Sequence, residues 1–491
     1  MPANCRRDWS GGMEELLLDG SLGSIHRAIG AKSISVSEIA KWYLARIESL
    51  DRSGPRLNAI RAIAPDALEV ARQLDDEVAS GRIRGPLHGI PILLKDNILT
   101  GDGMTAAAGA AALGGFKPVS DATLVRRLRQ AGALILGKTN LTEFADYVSD
   151  VMPSGFSGAG GMVKNPHGVS NYGRGLGSSV GSAAAVAASL APIAIGSETQ
   201  NSIQTPASVS SVFGFKPTVG MVSRAGVVPL VPSQDSPGPL GRSVQDLALL
   251  ISIIGGADPR DTLSVTVALD RPDGLRQRDA KSIRLGVPRR CIADRPDLES
   301  VMPRFEATLR DLGQHGVTLF DPCDLPAAEQ LQDVRSSVFR TEFKVALNAF
   351  LDQNGNPCGI GSIDQLILWN EQHPEKIPYG QSLLIAAAGT VGLDDPRYRA
   401  DRKRDIALSR QAGIDAALDF SGADALIAPM SAAAKCTGKA GAPVLAIPVG
   451  LDSKGAPFGV TLFASPGSDA ALLEIGASVA AIIGQQVAPK L

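Results

Sequence analysis

Three polar side chains have the types and setting needed for nucleophilic catalysis: Lys95, Ser178 and Ser202. Lys95 ends the apolar run GIPILLK, and the two serines flank an alanine-rich segment. A serine hydroxyl is a poor nucleophile until a base takes its proton, and a neutral lysine can be that base. Burial would have to lower the lysine pKa from about 10.4 to about 7.5. An apolar strand ending in lysine supplies such burial, so we expect a serine activated to attack a carbonyl carbon.

The segment that carries both serines organises the rest of the chain. Residues 177–206 begin with glycine and paired serines, pass through alanines and end on a second polar turn. Small residues let neighbouring backbone approach closely, so we expect this segment at the centre of the fold. Rigid, tightly packed elements with Gly/Ser ends are what a buried site requires.

Composition sets the class of protein and excludes several functions. The chain of 491 residues is 44% hydrophobic and 20% charged with a net charge of −2, which is typical of soluble globular proteins. This balance gives no reason to expect nucleic acid or an anionic membrane as partner, since both favour basic patches. No run of 18 apolar residues and no signal-peptide pattern is present, so we expect a cytoplasmic protein.

The cysteines and histidines predict neither a disulfide framework nor a metal site. The five cysteines are scattered and are expected to be reduced thiols: Cys5, Cys291, Cys323, Cys358 and Cys436. The five histidines lack metal-ligand spacing, and His88 before the GIP run is expected to be structural. We therefore expect no metal.

Strand and helix patterns alternate along the chain. A capping box, Ser35-x-x-Glu38, begins a helix over 35–50, and a strand ends at Lys95. Residues 150–177 form a long Gly/Asn/Ser/Pro loop of the kind that is usually functional. We expect helices near 65–80, 122–130, 179–190, 243–256, 298–313 and 469–483, and strands near 133–136, 190–196, 283–287, 317–320, 425–428, 444–449 and 458–463.

This alternation predicts an α/β fold: one large domain with a mixed, mostly parallel β-sheet core covered by helices on both faces. We expect a single domain over residues 1–491, with an N-terminal helical segment of about 1–60 packed on the core. The polar region 257–282 is expected to be an excursion or a lid.

Several blocks of the chain resemble the amidase signature hydrolases, in order and at familiar spacing. The likeness covers roughly residues 30–260 and continues more loosely to residues 425–450. The blocks are GPLHGIPILLKDNI, AGALILGKTNLTEFA, GLGSSVGSAAAVAA, GSETQNSIQTPASVSSVFGFKPT and SQDSPGPLGRSVQDL.

The resemblance implies a Ser–Ser–Lys triad. It makes Ser202 the nucleophile, Ser178 the proton relay and Lys95 the base, and it implies a cis peptide bond between Gly177 and Ser178. It also implies an oxyanion hole from the backbone N–H groups of Thr199, Gln200, Asn201 and Ser202, with Ser179 and Asp235 as supporting hydrogen-bond partners. No cofactor is implied.

Two departures from the family pattern concern substrate choice. Gln200 and Asn201 stand where glycines usually precede the nucleophile, and Asn is the next best residue for a left-handed turn. We therefore expect a preserved turn with a side chain intruding on the pocket. Val180 is a milder crowding change at the helix start.

The function that follows is hydrolysis of an amide C–N bond through a serine acyl-enzyme. The N-terminal half most resembles peptide amidases, which deaminate C-terminal carboxamides, and broad-range amidases acting on small acyl or aryl amides. The partner is then a small-molecule or peptide amide, and the protein is a monomer or homodimer.

Three other interpretations stay open. The pentapeptide at residues 177–181 fits GxSxG, which would make Ser179 the nucleophile of an α/β-hydrolase-type esterase. The family also includes the glutamine-hydrolysing subunit of the tRNA-dependent amidotransferase, although Gln204 stands at the position of its Arg. A catalytically impaired homologue is the third.

Overall fold

A mixed sheet runs through the part of the chain that the computed structural model describes, residues 11–266, 275–293 and 295–491. Its strands that lie nearest the candidate site are apolar runs buried on both faces, as expected for strands covered by helices on each side. The described strands are β1 (Ile60–Ile63), β2 (Pro91–Lys95), β3 (Leu134–Thr139), β4 (Phe156–Ser157), β5 (Gly161–Met162), β6 (Lys164–Asn165), β7 (Ser170–Asn171), β8 (Ile193–Glu198), β9 (Phe213–Lys216), β10 (Ser236–Gly241), β11 (Arg284–Gly286), β12 (Thr318–Phe320), β13 (Ala425–Pro429), β14 (Val444–Leu451) and β15 (Pro457–Phe463).

Helices occupy most of the connections between these strands. The described α-helices are α1 (Gly11–Asp19), α2 (Leu22–Gly30), α3 (Val36–Ile47), α4 (Ala67–Ala79), α5 (Thr123–Gln130), α6 (Val180–Ala187), α7 (Gln204–Val209), α8 (Val244–Ile254), α9 (Met302–Gln314), α10 (Ala328–Asp333), α11 (Val338–Gln353), α12 (Ile363–Gln372), α13 (Ser382–Ala388), α14 (Pro396–Ile406), α15 (Ala416–Ser421), α16 (Ala434–Ala440) and α17 (Asp469–Ile483).

The main sheet has its parallel pairs at two flanks and an antiparallel centre. Its strand order is β1-β3-β2-β8-β10-β9-β14-β15-β13-β11-β12. Strands β3, β2 and β8 are parallel neighbours, as are β13, β11 and β12, whereas the pairs from β8 through β10, β9, β14 and β15 to β13 are antiparallel. The predicted α/β class with a mixed sheet is confirmed, and parallel pairing is confined to these flanks.

Two sets of helices cover the sheet. Helices α6 and α7 pack against each other and contact β8 and β14, while α8 and α17 pack against each other and contact β10 and β14. The apolar residues of α1 to α3, including Leu17, Ile25 and Tyr43, join the same core as the sheet. Ser35 and Glu38 form the predicted capping box at the start of α3.

A second apolar cluster lies beside the main core. It joins α11, α12 and α13 to the chain that follows β2 and β3, through residues such as Phe144, Val148, Phe343 and Phe350. Phe343 packs edge-on against Phe144 and Tyr147, with ring centroids 5.7 and 5.3 Å apart. This cluster ties α11 to the segments that follow β2, which ends at Lys95, and β3.

Two elements differ from the sequence-based expectation. No strand is predicted directly before the helix at 243–256, yet residues 236–241 form β10. The strand tolerates Pro237 and Pro239 because their missing N–H groups lie on one edge. On that edge, β10 pairs with β9 only through Leu240 and Gly241, beyond the prolines. The turn-rich stretch after β8 contains a helix, α7, which begins two residues after Ser202.

The long loop contains short hairpins, and the described part of the expected lid is held by hydrogen bonds. Residues 150–177 include two short hairpins, β4–β5 and β6–β7. Residues 257–266 are held by Asp258, which accepts from Ser223 Oγ at 2.6 Å, and by Asp261, which accepts from Arg224 Nε at 2.8 Å. The middle of the expected lid, 267–274, lies outside the described residues, as do residues 1–10 with Cys5.

Candidate active site

Lys95 lies at the end of β2, between the parallel neighbours β3 and β8, and is fully buried. Its Nζ is 2.7 Å from Ser178 Oγ and 3.0 Å from Ser179 Oγ. It also lies 3.0 Å from Ser197 Oγ and 3.1 Å from the Ser197 carbonyl oxygen. The side chain of the candidate base is therefore surrounded by three hydroxyls and one carbonyl.

Burial changes the charge of Lys95. The loss of water around its ammonium lowers its pKa to about 7, against the attraction of the nearby carboxylates of Asp235, Glu198 and Asp146, which acts to raise it. A lysine with this pKa is neutral in a large fraction of molecules near neutral pH. The amine can then accept a proton from a neighbouring hydroxyl.

Ser178 and Ser179 lie at the start of α6, directly over the end of β8. The peptide bond between Gly177 and Ser178 is cis, as the family resemblance implied. A Cβ on Gly177 would lie 2.5 Å from Thr142 Oγ1, so only glycine fits there. Ser179 Oγ donates to the Ser197 carbonyl at 3.0 Å and accepts from Ser197 N–H at 3.2 Å.

Ser202 lies in the turn between β8 and α7. Its carbonyl accepts the Ser179 N–H at 3.1 Å, which fixes this turn against the start of α6. Within the described residues no group hydrogen-bonds to Ser202 Oγ, and the residue keeps 5% of its surface exposed. The structure thus joins Lys95 to Ser178 directly and brings Ser202 beside them through backbone. Contacts of this kind are often looser before substrate binds.

The predicted oxyanion donors lie along one turn. In the described part of the chain, no protein acceptor takes a hydrogen bond from the N–H groups of Thr199, Gln200, Asn201 or Ser202. Thr199 and Ser202 are buried, whereas Gln200 and Asn201 are half-buried. Buried N–H groups are nearly always paired, so the unpaired N–H groups of Thr199 and Ser202 make this turn a candidate anion-binding site.

Glu198 is a residue of this site that the sequence reasoning missed. Its Oε2 accepts the N–H groups of Ile203 at 2.6 Å and Gln204 at 2.9 Å, and its Oε1 accepts Gln204 Nε2 at 2.7 Å. The Gln204 amide also donates to the Gln200 carbonyl at 3.1 Å. A carboxylate at the end of an apolar, buried strand is the signal that could have pointed to it.

Gln200 and Asn201 do not use the left-handed conformation that glycine or asparagine favours, since neither residue has a positive φ. The expected intrusion of a side chain on the pocket stays a prediction. Asn201 Nδ2 instead donates to the Gly175 carbonyl at 2.9 Å. The side chain ties the turn to the long loop, because its amide finds an acceptor there.

Asp235 also supports this turn. Its Oδ1 accepts Thr199 Oγ1 at 2.5 Å, and its Oδ2 accepts the N–H groups of Leu230 at 2.8 Å and Val231 at 2.9 Å. Burial raises the pKa of its carboxyl, while these hydrogen bonds act to lower it.

Asn97 and Ser197 also belong to the site, and the sequence reasoning passed over both. Asn97 Nδ2 donates to Ser197 Oγ at 2.9 Å, and Ser197 Oγ is the hydroxyl that contacts Lys95. Both residues are buried.

The geometry argues against the GxSxG interpretation. Strand β7 ends at Asn171, so no strand leads directly into Ser179. Ser179 Oγ contacts Lys95, whereas His315 bonds the Asp311 carbonyl and His373 stacks on Trp369. The expected structural role of His88 is confirmed, since both of its ring nitrogens bond to backbone groups, those of Leu74 and Arg84.

The described residues contain no group of three or more His, Cys, Asp or Glu side chains that could hold a metal ion. Among the same residues, no helix is both long and apolar enough to cross a membrane.

Comparisons with known proteins give a consistent result. Residues 38–439 match the Amidase family. The structure of the peptide amidase PAM with the competitive inhibitor chymostatin superposes with a TM-score of 0.88 at 36% identity, over 96% of this chain and 99% of that one. A probable amidase of Arabidopsis thaliana is 34% identical over 93% of this chain and 88% of its own length.

A second kind of relative is also similar. A glutamyl-tRNA(Gln) amidotransferase subunit of Chloroflexus aurantiacus is 33% identical over 91% of this chain and 93% of its own length. Family match, fold and site agree: the chain belongs to the Amidase family and is an amidase acting on carbon–nitrogen bonds.

Proposed function

We propose that this amidase cleaves its substrate through a serine acyl-enzyme, with Ser202 as nucleophile, Ser178 as proton relay and Lys95 as base. The observation that carries the proposal is the 2.7 Å contact between Lys95 Nζ and Ser178 Oγ, at a lysine whose pKa burial lowers to about 7. The two hydroxyls can pass one proton from Ser202 through Ser178 to the neutral amine of Lys95. Before the transfer, none of these three groups carries a charge.

The reaction then has a balanced course. Neutral Lys95 takes the proton of Ser178, which takes that of Ser202, while Ser202 Oγ bonds to the amide carbon. The N–H groups of the turn stabilise the oxyanion. The proton returns through the same relay to the departing nitrogen as the C–N bond breaks. Water deprotonated by the same route then attacks the ester and releases the acid.

We propose a C-terminal peptide carboxamide as substrate and ammonia as the leaving group. The likeness to a peptide amidase over nearly the full length of both chains supports this class. Small acyl or aryl amides are the alternative. Ammonia release from N-acetyl-leucinamide, compared with release of aniline from an anilide, distinguishes primary amides from secondary ones.

Alanine variants test the assignment. We expect Ser202→Ala and Lys95→Ala to lower kcat by at least about 1,000-fold, because members of a catalytic unit act together. Ser179→Ala serves as the comparison, since Ser179 also contacts Lys95 but is the nucleophile only in the rival scheme. An active Ser202→Ala protein with an inactive Ser179→Ala protein would contradict the proposal.

Mass spectrometry gives a second, independent readout. Rapid quenching of wild-type protein with a slowly hydrolysed ester should leave the acyl group on the peptide that contains Ser202. An acyl group found only on the peptide that contains Ser179, once the two are separated by fragmentation, would reject Ser202 as nucleophile.

An amidotransferase-type subunit is the second candidate, favoured by the 33% identity to the Chloroflexus aurantiacus protein. Purified chain should hydrolyse a peptide amide without any partner if it is a free-standing amidase. Hydrolysis of free glutamine with no activity on peptide amides would favour the second candidate.

We also propose that residues 1–491 form one domain, and that the protein is a monomer or homodimer of the cytoplasm. The free thiols of the four described cysteines support a reducing compartment. A single cooperative unfolding transition, light scattering and cell fractionation test the three statements.

A further inference from the structure

Helix α16 packs against the turn that carries the candidate oxyanion donors. A Cβ added to Gly438, in this helix, would lie 2.9 Å from the Thr199 carbonyl oxygen and 2.9 Å from Gln200 Cα. Both distances are shorter than the contacts that a real Cβ makes, and both atoms belong to backbone, so neither can rotate away. The helix and the turn therefore meet backbone to backbone, and a residue without a side chain permits this contact.

The contact bears on the direction of an N–H group in the turn. Among the described residues, the cis peptide bonds lie elsewhere in the chain, so the bond between Thr199 and Gln200 is trans. In a planar trans peptide the N–H points opposite to the carbonyl oxygen. The Thr199 oxygen lies next to Gly438, so the Gln200 N–H points away from α16. A push on this oxygen would rotate the peptide plane and redirect the N–H.

An ion pair ties α16 to α14. Lys439 Nζ bonds Asp405 Oδ2, and the two side chains are 5% and 0% exposed. Ser336 Oγ donates to the same carboxylate oxygen at 2.7 Å. A buried pair depends on both partners, because removal of one leaves an uncompensated charge. Lys439 follows Gly438 directly, so the pair holds the part of the helix that contacts the turn.

We propose that Gly438 positions the Thr199–Gln200 peptide for stabilisation of the oxyanion, with α16 as the surface that limits how far this peptide moves. The inference rests on the proposed acyl-enzyme scheme with Ser202, and it adds a positioning residue outside the sequence blocks that resemble the amidase signature. Negative charge on the substrate oxygen develops in the transition state, so the position of the donors affects kcat more than substrate binding. Gly438 acts through the turn and is not itself a catalytic residue.

Gly438→Ala tests the proposal, with N-acetyl-leucinamide as substrate and the folded fraction measured by circular dichroism. We expect kcat per folded molecule to fall by about ten-fold or more, because small displacements of catalytic groups are costly. KM should stay within about two-fold. The apparent pKa of the pH–rate profile should not move, because the change is made at the turn and not at Lys95.

Gly476→Ala in α17 is the matched control. Its added Cβ would lie 2.0 Å from the Leu445 side chain, so it crowds a helix without pushing on the turn. This variant should melt at a lower temperature and keep its kcat. A kcat for Gly438→Ala within about two-fold of wild type, or an equal fall in Gly476→Ala, would overturn the positioning role.

Lys439→Met tests the same role without adding atoms beside the turn, and it decides the question if Gly438→Ala does not fold. We expect kcat per folded molecule to fall by about three-fold or more at constant KM. Lys439→Met/Asp405→Leu should recover kcat, because it leaves no unpaired buried charge. Unchanged kcat in Lys439→Met would overturn the proposal. An active Ser202→Ala protein would instead refute the proposed function, since no oxyanion would then form at this turn.

Discussion

Lys95 is one of three fully buried lysines in the described structure whose pKa is lowered by burial, together with Lys138 and Lys216. Lys138 Nζ donates to the Ile98 carbonyl, and Lys216 Nζ donates to the Ala442 carbonyl. A carbonyl only accepts, so these two amines are held as donors. Hydroxyls both accept and donate, which makes Lys95 the lysine suited to exchange a proton.

The first prediction concerns pH. Lys95 is neutral above its pKa of about 7, so kcat/KM should rise with pH through an apparent pKa of about 7 and level off above it. Asp235 attracts the ammonium and raises this pKa. Asp235→Asn should therefore move the limb to lower pH. A pH–rate profile that stays in place in Asp235→Asn would contradict the electrostatic argument.

The second prediction concerns Glu143, a buried carboxyl outside the catalytic scheme. Burial raises its pKa to about 8, against the Gly158 N–H that bonds its Oε2 at 2.7 Å. In the unfolded chain the Glu143 carboxyl has a pKa of 4.5. The contribution of its protonated form to the free energy of unfolding is therefore fully present below pH 4.5 and is lost as pH rises through 8. In Glu143→Gln this loss, on the order of a few kcal/mol, should be absent. Denaturant unfolding at pH 5 and pH 8.5 measures it.

At the scale of elements, α6 is the helix on which the site depends. Gly181 lies so close to neighbouring backbone that a Cβ would be 2.1 Å from the Asn140 carbonyl oxygen and 2.7 Å from that of Ala59. The run of small residues in α6 is thus a packing requirement. It sets how near Ser178 comes to β2 and β8.

The third prediction compares two helical glycines. Gly181→Ala should destabilise the protein by at least about 1–3 kcal/mol, because backbone must move to admit the methyl group. Gly313→Ala in α9 is the matched control, since nothing lies within 4 Å of its added Cβ and alanine is the better helix former. Thermal unfolding of both variants measures the difference. Equal melting temperatures would show that α6 tolerates a wider spacing.

Helices and strands that are determined by residues within their own segment could be predicted from the sequence. The capping box of α3, the strand ending at Lys95 and the helix α17 follow from spacing and burial of apolar residues. Strand β10 could not be predicted, because proline normally marks a loop and only the neighbouring strands reveal which edge it faces. Helix α7 was missed because Glu198, outside the helix, accepts the Gln204 N–H at its start.

At the scale of the whole molecule, two apolar clusters meet at the site. The main core includes Leu94, Val180 and Ile203, which neighbour the candidate site residues in the chain, while the second cluster includes the apolar residues of α11. The family resemblance predicted Lys95, Ser178 and Ser202 as site residues.

Asn97 and Ser197 had no separate signal beyond their polarity, because they bond to each other across 100 residues of chain. Glu198 has local partners, Ile203 and Gln204, and its place at the end of a buried strand was the available signal.

The fourth prediction separates the two clusters. Phe343→Ala removes a fully buried ring that packs against Phe144 and Tyr147, and should cost about 3–5 kcal/mol. Hydrogen exchange should accelerate in residues 338–388 more than in the central strands, since the ring belongs to the second cluster. Uniform acceleration across the sheet would mean that both clusters unfold as one unit.

The set of groups around Lys95 has a further consequence for turnover. An ammonium has three hydrogens and a neutral amine has two with one lone pair, yet four oxygens surround this nitrogen. Three of those oxygens carry a hydrogen that can swing toward or away from the nitrogen. When Lys95 gains or loses a proton, rotation of the neighbouring hydroxyl hydrogens can therefore adjust the hydrogen bonds. The carbon, nitrogen and oxygen atoms of the site can keep their positions through every catalytic cycle.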